Sequence, residues 1–102
     1  MAKAYWLAQV DVADAQAYKA YIAANAAAFR KYGARFLVRG GAAHVVEGSS
    51  RSRVVVIEFA DLSSAEACYA SPEYRAALAL RQPVSTADVL IVEGYDGPQP
   101  GD

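Results

Sequence analysis

The spacing of hydrophobic residues changes period several times along this chain, and the order of those changes limits the possible folds more than any other feature. Strand-like alternation runs through residues 4–12 (AYWLAQVDV) and 88–94 (DVLIVEG), and a β-branched run at 53–59 (RVVVIEF) predicts the clearest strand. Helical spacing covers residues 14–32 and about 61–82. With a further strand after the first helix, the order is βαββαβ, which predicts a ferredoxin-like α+β domain with a four-stranded antiparallel sheet.

The first helix has clear end signals. Asp14 is a favourable N-cap, and Gly33 can adopt the left-handed conformation that ends a helix. Asn25 falls inside the apolar stripe, where we expect it to bond to the backbone. The apolar stripe, expected to face the sheet, comprises Tyr18, Tyr21, Ile22, Ala28, Phe29 and Tyr32, whereas the opposite face presents Lys19, Ala23 and Arg30 to water.

The second helical region is predicted in two pieces. Asp61 or Ser63 caps the first piece, which ends near residue 70. Ser71 then acts as a new N-cap with Pro72 at the favoured first helical position. The second piece is expected to run to about residue 82, before Pro83.

The second strand is predicted to be long. Residues 35–39 (RFLVR) and 43–47 alternate like a strand on both sides of Gly40-Gly41, which we interpret as a bulge or bend. Residues 48–52 (GSSRS) then form the hairpin loop. One domain is expected at residues 1–96, followed by a flexible tail at 97–102.

In this topology the first and third strands are central, and both helices cover one face of the sheet. The covered face is predicted to carry Trp6, Val10, Phe36, Val38, Val55, Ile57 and Phe59. The other face carries Tyr5, Leu7, Leu37, Val54, Val56, Leu90 and Val92, a larger apolar patch than monomers usually expose. We therefore expect a homodimer, the alternative being a twisted sheet with a half-wet second face.

Charge and composition exclude several classes of partner. Ten Lys and Arg side chains face eleven Asp and Glu, and no stretch concentrates the basic ones, so nucleic acid is not an expected partner. No segment has the length of an apolar membrane span, and residues 1–12 lack a signal-peptide pattern. With Cys68 as the single cysteine, a cytoplasmic protein without a disulfide is expected.

Several segments together resemble a known family. The opening AYWLAQVDVAD, the middle RFLVRGG, the strand RVVVIEF, the SPEY of residues 71–74, the following Arg81 and the closing VLIVEG are similar to domain-of-unknown-function family 1330. The resemblance implies a dimeric α+β barrel, in which two sheets pack face to face, and it implies no activity. Related barrel enzymes include cofactor-free quinol monooxygenases and haem-degrading oxygenases. The latter use an Asn, a Trp and a His, but Asn25 and His44 here fall on different elements from theirs.

Candidate site residues come from charged groups on the mixed face of the sheet. Neither a metal site nor a nucleophilic triad is expected, because His44, taken as an ordinary strand residue, and Cys68 lie on different elements without ligand spacing. No cofactor fingerprint is present either, so no cofactor is expected. The candidates are the catalytic pair Arg39 and Glu58 and the ligand-binding residues Gln9, Asp11, Tyr69, Tyr74 and Arg81.

Two interpretations of these residues remain open. In one, they form salt bridges that set the register of the dimer. In the other, Arg39 or Arg81 holds a carboxylate while Glu58 acts as a base. Hairpin geometry is expected to bring Arg39 to Glu58, and a first strand parallel to the third would place Asp11 at the same edge.

Two functions follow from these interpretations. The first is a cofactor-independent enzyme of the dimeric barrel type that acts on a small carboxylated or phenolic compound. The second is a non-catalytic small-molecule-binding or stress-response module. The sequence does not separate them, because a pocket lined with tyrosines serves both.

Overall fold

The computed structural model describes residues 2–102 and shows an α+β fold with one four-stranded antiparallel sheet and three α-helices. Along the chain the elements are β1 (Ala4–Val12), α1 (Ala15–Lys31), β2 (Arg35–Arg39), β3 (Arg53–Phe59), α2 (Leu62–Ala70), α3 (Pro72–Arg81) and β4 (Ser85–Glu93). A single 3₁₀ turn at Gln82–Val84 joins α3 to β4.

The helix ends are stabilised by the predicted caps. The Asp14 carboxylate accepts a 3.0 Å hydrogen bond from the Ala17 N–H, and Gly33 has a φ of 69°. Asp61, rather than Ser63, caps α2 by accepting a 2.8 Å bond from the Ser64 N–H in the first helical turn. Ser71 caps α3 in the same way, so the break between α2 and α3 is confirmed.

The prediction of a long second strand was wrong. Only β2 forms, and residues 40–52 make an exposed segment outside the sheet, so His44 lies in this segment and not in a strand. Residues 43–47 have no strand to pair with, because β3 begins only at Arg53. The last strand, in contrast, begins three residues earlier than predicted, at Ser85.

The sheet order is β2-β3-β1-β4, which confirms β1 and β3 as the central strands. Its covered face packs on the helices around Trp6, whose indole N–H donates a 2.9 Å hydrogen bond to the Ala65 carbonyl. Four aromatic rings surround Trp6 with centroids 4.9 to 5.4 Å away, namely those of Phe29, Phe59, Tyr69 and Tyr74. Tyr18 and Phe29 are buried and Ile22 packs against the core, so the predicted apolar face of α1 is confirmed.

The second face of the sheet is uncovered in the chain. It exposes Leu7, Leu90 and Val92, together with Leu37 and Val38 at the β2 edge. In residues 2–102, no helix has both the length and the apolar character needed to cross a bilayer. The flexibility of the tail at 97–102 stays a prediction.

Candidate functional site

The sheet separates the predicted site residues onto its two faces. Tyr74 and Arg81 from α3 and Arg39 from β2 line a cavity on the helix-covered side. Gln9 and Asp11 lie on the uncovered side, as does Glu58, because their strand positions alternate with those of the buried residues. The structure therefore does not assemble these residues into one site within the chain.

A bulge in β2 puts Arg39 on the covered side. Phe36 pairs with Ile57 and Val38 pairs with Val56, which leaves one extra residue between them. The bulge thus lies within β2 and not at Gly40-Gly41. Two predictions fail for this reason: Val38 shares the uncovered face with Val56, and Arg39, opposite Val55, turns toward the helices.

The predicted pairing of Arg39 with Glu58 is wrong. The Arg39 guanidinium carbon instead lies 4.0 Å from the centroid of the Phe36 ring. Glu58 lies opposite Arg35 in the register and accepts a 3.3 Å ion-pair contact from Lys3.

The expected position of Asp11 was also wrong, because β1 runs antiparallel to β3. Glu58 pairs with Tyr5 near the start of β1, so Asp11 lies at the opposite end of the sheet. There the Arg51 guanidinium contacts Asp11 at 2.9 Å and Asp88 at 2.8 Å, and the Arg51 N–H donates to Gln9. A backbone hydrogen bond from Ser52 and the Arg51 side chain lower the pKa of Asp11.

The cavity on the covered side lies between α1 and the middle of the sheet and has a volume of about 30 Å³. It is narrow, with room for only a few water-sized molecules between its walls. The small side chain of Ala8 on β1 leaves this space open beneath α1. The walls are largely aromatic: Trp6, Tyr18, Tyr21, Phe29, Phe36 and Tyr74.

Three arginines from three different elements reach this cavity: Arg39, Arg53 and Arg81. Arg81 is 6% exposed, and the buried Nε of Arg53 has no hydrogen-bond partner. Within residues 2–102, the ion pairs involve only Lys3, Lys31 and Arg51 on the basic side, so none of the three arginines is neutralised by a carboxylate. A buried cation without a counter-ion is costly, so the guanidinium of Arg81 favours an anion in the cavity, whereas Arg53 is half-buried and Arg39 is exposed.

Two tyrosine hydroxyls complete the polar part of the cavity. The Tyr21 and Tyr74 oxygens lie 3.0 Å apart and share a hydrogen bond. Burial raises the pKa of Tyr21, as does the neighbouring Tyr74, and burial also raises the pKa of Tyr74. Burial lowers the pKa of Arg81, but the two tyrosines raise it by more. At neutral pH the cavity therefore presents neutral hydroxyls and a charged guanidinium.

Sequence reasoning did not place Arg53 or Asn25 in the cavity. Arg53 has the same parity as Val55, Ile57 and Phe59, so its place on the covered face could have been found from strand alternation. Asn25 was expected to bond to the backbone, and the structure shows in addition that it is buried and contributes to the cavity lining. A buried amide inside an apolar helical stripe was the available signal for it.

The other polar candidates do not join this site. Tyr69 packs against both Trp6 and Tyr74 and lines a separate open groove beside Arg81. Cys68 is buried in α2, where burial raises its thiol pKa to about 12. Among residues 2–102, no three His, Cys, Asp or Glu side chains cluster closely enough to hold a metal ion.

The chemistry available in the cavity is recognition of an anion. Guanidinium groups and hydroxyls donate hydrogen bonds, and the aromatic walls pack against a flat apolar body. None of the described lining residues carries a carboxylate or an imidazole, so the lining itself offers no general base of the usual kind.

The fold is similar to solved structures of low sequence identity. RPA0582, a protein of unknown function from Rhodopseudomonas palustris, is 17% identical, with a TM-score of 0.74 over 94% of this chain and 85% of that chain. SnoaB, a cofactor-independent oxygenase from Streptomyces nogalater, is 15% identical, with a TM-score of 0.68 over 97% and 96% of the two chains. These likenesses show the fold alone. Among curated proteins, none matches the chain.

The family comparison covers every strand and helix described above. The model of the domain of unknown function DUF1330 matches residues 3–95, which extends from the start of β1 to just beyond β4. This match confirms the resemblance found in the sequence segments. The chain belongs to the DUF1330 family.

Proposed function

We propose that the cavity binds a small carboxylated or phenolic compound in its anionic form. The observation that carries this proposal is the set of three arginines without carboxylate partners, above all the buried guanidinium of Arg81. An anionic ligand supplies the missing counter-charge, and a bidentate carboxylate fits the planar donor geometry of a guanidinium. Aromatic walls favour a ligand with a flat apolar body.

Entry of such a ligand requires the cavity to widen. Arg39 is the exposed member of the three arginines, and it rests on the Phe36 ring at the margin of the cavity. Rotation of the Arg39 side chain onto the ligand opens the space and adds a second cation to the site. The exposed segment at 40–52 follows directly after Arg39.

The proposed activity is that of a cofactor-independent enzyme. The similarity in fold to SnoaB, a cofactor-independent oxygenase, supports this class. In the cavity, Arg81 and the Tyr21–Tyr74 hydroxyl pair stabilise a bound phenolate or carboxylate and shield it from water. The cationic surroundings favour the ionised form of a phenol, so it gives its proton to solvent on entry and binds as the phenolate without a base from the lining.

A non-catalytic small-molecule-binding or stress-response module is the second candidate. The lining without carboxylate or imidazole favours it, because binding an anion needs no proton transfer. Oxygen uptake measured with each bound compound separates the two candidates. Turnover with any ligand that requires Arg81 supports the enzyme, and tight binding without turnover across the panel supports the module.

Binding is tested by a thermal-shift screen of small aromatic acids and phenols at neutral pH. At a hundredfold excess over Kd, a ligand stabilises the fold by about 2.7 kcal/mol. For a domain of this size, that raises Tm by roughly 10–20 °C. Arg81→Met keeps the length of the side chain and should abolish the shift, whereas Arg30→Met on the exposed face of α1 should preserve it. Equal binding by the Arg81 variant contradicts the proposed site.

We also propose that the uncovered face of the sheet forms a homodimer, giving a dimeric α+β barrel. Leu7 is 38% exposed and Leu90 is 63% exposed on this face, and both gain by burial against a second copy. The uncovered candidates Gln9, Asp11 and Glu58 then act as polar groups that set the register of the two sheets. A cytoplasmic location, consistent with the free thiol of Cys68, remains part of the proposal.

Light scattering at micromolar concentration tests the dimer. We expect twice the chain mass and an interface of about 1,600 Å². Leu90→Asp should produce monomers, because it places a charge in the interface. Leu80→Asp, at a leucine on α3 that is 44% exposed, is the matched control and should leave the dimer intact. A monomer mass for the unmodified chain refutes the interface.

A further inference from the structure

The cations around the cavity lie on two sides of β1. Arg53 belongs to β3 and pairs in register with Val10, and Arg39 lies beyond it on β2. Arg81 lies on the other side, because it also lines the open groove formed with Thr86, Ala87 and Val89 of β4. In the sheet order, β3 and β4 flank β1 on opposite sides. The cationic groups therefore lie at two opposite ends of the cavity, one on each side of β1.

Each end is associated with its own tyrosine ring. The Arg53 guanidinium carbon is 5.8 Å from the Tyr18 centroid, and that of Arg81 is 5.6 Å from the Tyr21 centroid. The two rings are themselves 5.3 Å apart along α1. Since neighbouring strands lie about 4.8 Å apart, β3 and β4 are separated by about 10 Å across Ala8. Arg53 and Arg81 therefore approach the cavity from opposite sides of Ala8, an arrangement that suits a ligand with a polar group at each end.

A ligand with one charge compensates only one of these ends. The other end then keeps either the buried guanidinium of Arg81 without a counter-ion or the buried Nε of the half-buried Arg53 without a hydrogen-bond partner. A ligand with two anionic groups pairs with both ends at once. The intervening ring lies over the small Ala8 side chain and against the tyrosine rings of α1.

We propose that the natural ligand is a dianion, an aromatic dicarboxylate or a carboxylated phenolate, held across β1 between Arg81 at one end and Arg53 with Arg39 at the other. This inference rests on the proposed function and deepens it by naming the substrate class. It also explains why the arginines come from three elements on both sides of the cavity. A site for a monoanion needs only one of these ends.

The test compares terephthalate with its monomethyl ester, which has nearly the same size and shape but a single charge. Isothermal titration calorimetry with the full chain should show at least tenfold tighter binding of the diacid. Arg81→Met and Arg53→Met should each remove this preference, whereas Arg30→Met should retain it. The affinities for isophthalate and phthalate, whose two carboxylates lie closer together than those of terephthalate, then report the spacing of the two cationic ends.

The outcomes separate the inference from the function on which it rests. Equal affinities for the diacid and the ester, with both lost in Arg81→Met, overturn the dianion while the anion site stands. Absence of binding by either compound, with no effect of the arginine variants on any small acid or phenol, overturns both. If a variant fails to fold, the unmodified protein still tests the dianion, because added salt must weaken binding of the diacid more steeply than binding of the ester.

Discussion

Replacement of Phe29 by alanine is the most direct test of how α1 is anchored to the sheet. Phe29 is 5% exposed, and its ring packs at 5.3 Å from that of Trp6, 5.5 Å from that of Phe36 and 6.0 Å from that of Tyr74. These contacts join α1 to β1, β2 and α3. Truncation to alanine therefore removes one ring from the centre of the aromatic cluster.

The expected loss follows from the volume removed. Phe→Ala changes in packed cores cost about 3–5 kcal/mol, because lost burial adds to the cost of the remaining void. Phe29 also lines the cavity, so the void merges with space that is already empty and the neighbouring rings gain no new support. With roughly 4–8 °C per kcal/mol for a domain of this size, Tm should fall by at least about 12 °C.

The assay is urea unfolding followed by fluorescence of Trp6, at one fixed protein concentration because the proposed dimer would make stability depend on concentration. Arg30→Ala changes the next residue on the exposed face of α1, and we expect it to stay within about 0.5 kcal/mol of the parent. A loss of less than about 1.5 kcal/mol for Phe29→Ala would refute the placement of this ring in the core.

Three further predictions concern the polar contacts. Arg51→Ala should speed proteolytic cleavage of the segment between β2 and β3 at neutral pH, and equal cleavage of the two proteins would contradict a stabilising role of the Arg51–Asp11 contact. The folded-state pKa of Asp11 is lowered from 3.8, so the contact stabilises the protein above pH 3.8 and is lost as the pH falls through the lowered pKa. The difference in cleavage between the two proteins should therefore disappear in acid. Cys68, with its pKa raised to about 12 by burial, should not react with a thiol reagent in the native protein and should react after denaturation; stoichiometric native labelling would count against its burial. Tyr21→Phe and Tyr74→Phe should each lower the free energy of unfolding in urea by roughly 1–3 kcal/mol, because each leaves the other hydroxyl unpaired. The double variant should lose less than the sum of the two, and additive losses would mean that the two hydroxyls do not interact.

Much of the fold was predictable because its signals are local. The β-branched run of β3, the caps Asp14 and Ser71 and the helical spacing of α1 each depend on residues within a few positions of one another. The same holds for the uncovered face, since alternation assigns Leu7 to it without reference to any other element. These features needed no knowledge of distant contacts.

Strand register and strand pairing were harder to predict from the sequence. Residues 43–47 alternate like a strand, but a strand forms only where a neighbour offers backbone partners, and here none does. The direction of β3 could have been found: the α1 crossover returns β2 parallel to β1, and the following reversal makes β3 antiparallel to both. The bulge within β2 carried no local signal, because Leu37 is an ordinary strand residue.

The candidate site depended on tertiary structure almost entirely. Arg81 was named from the sequence for a face of the sheet that it does not reach, and Arg39 changed sides through a one-residue bulge. Arg53 could be placed on the covered face by alternation, yet no local pattern brings it near the other two. The sequence by itself determined which elements form and which strand faces are apolar, because those depend on short-range periodicity. Only the packing of α1 and α3 across the sheet decided that three arginines, distant in sequence, share one cavity.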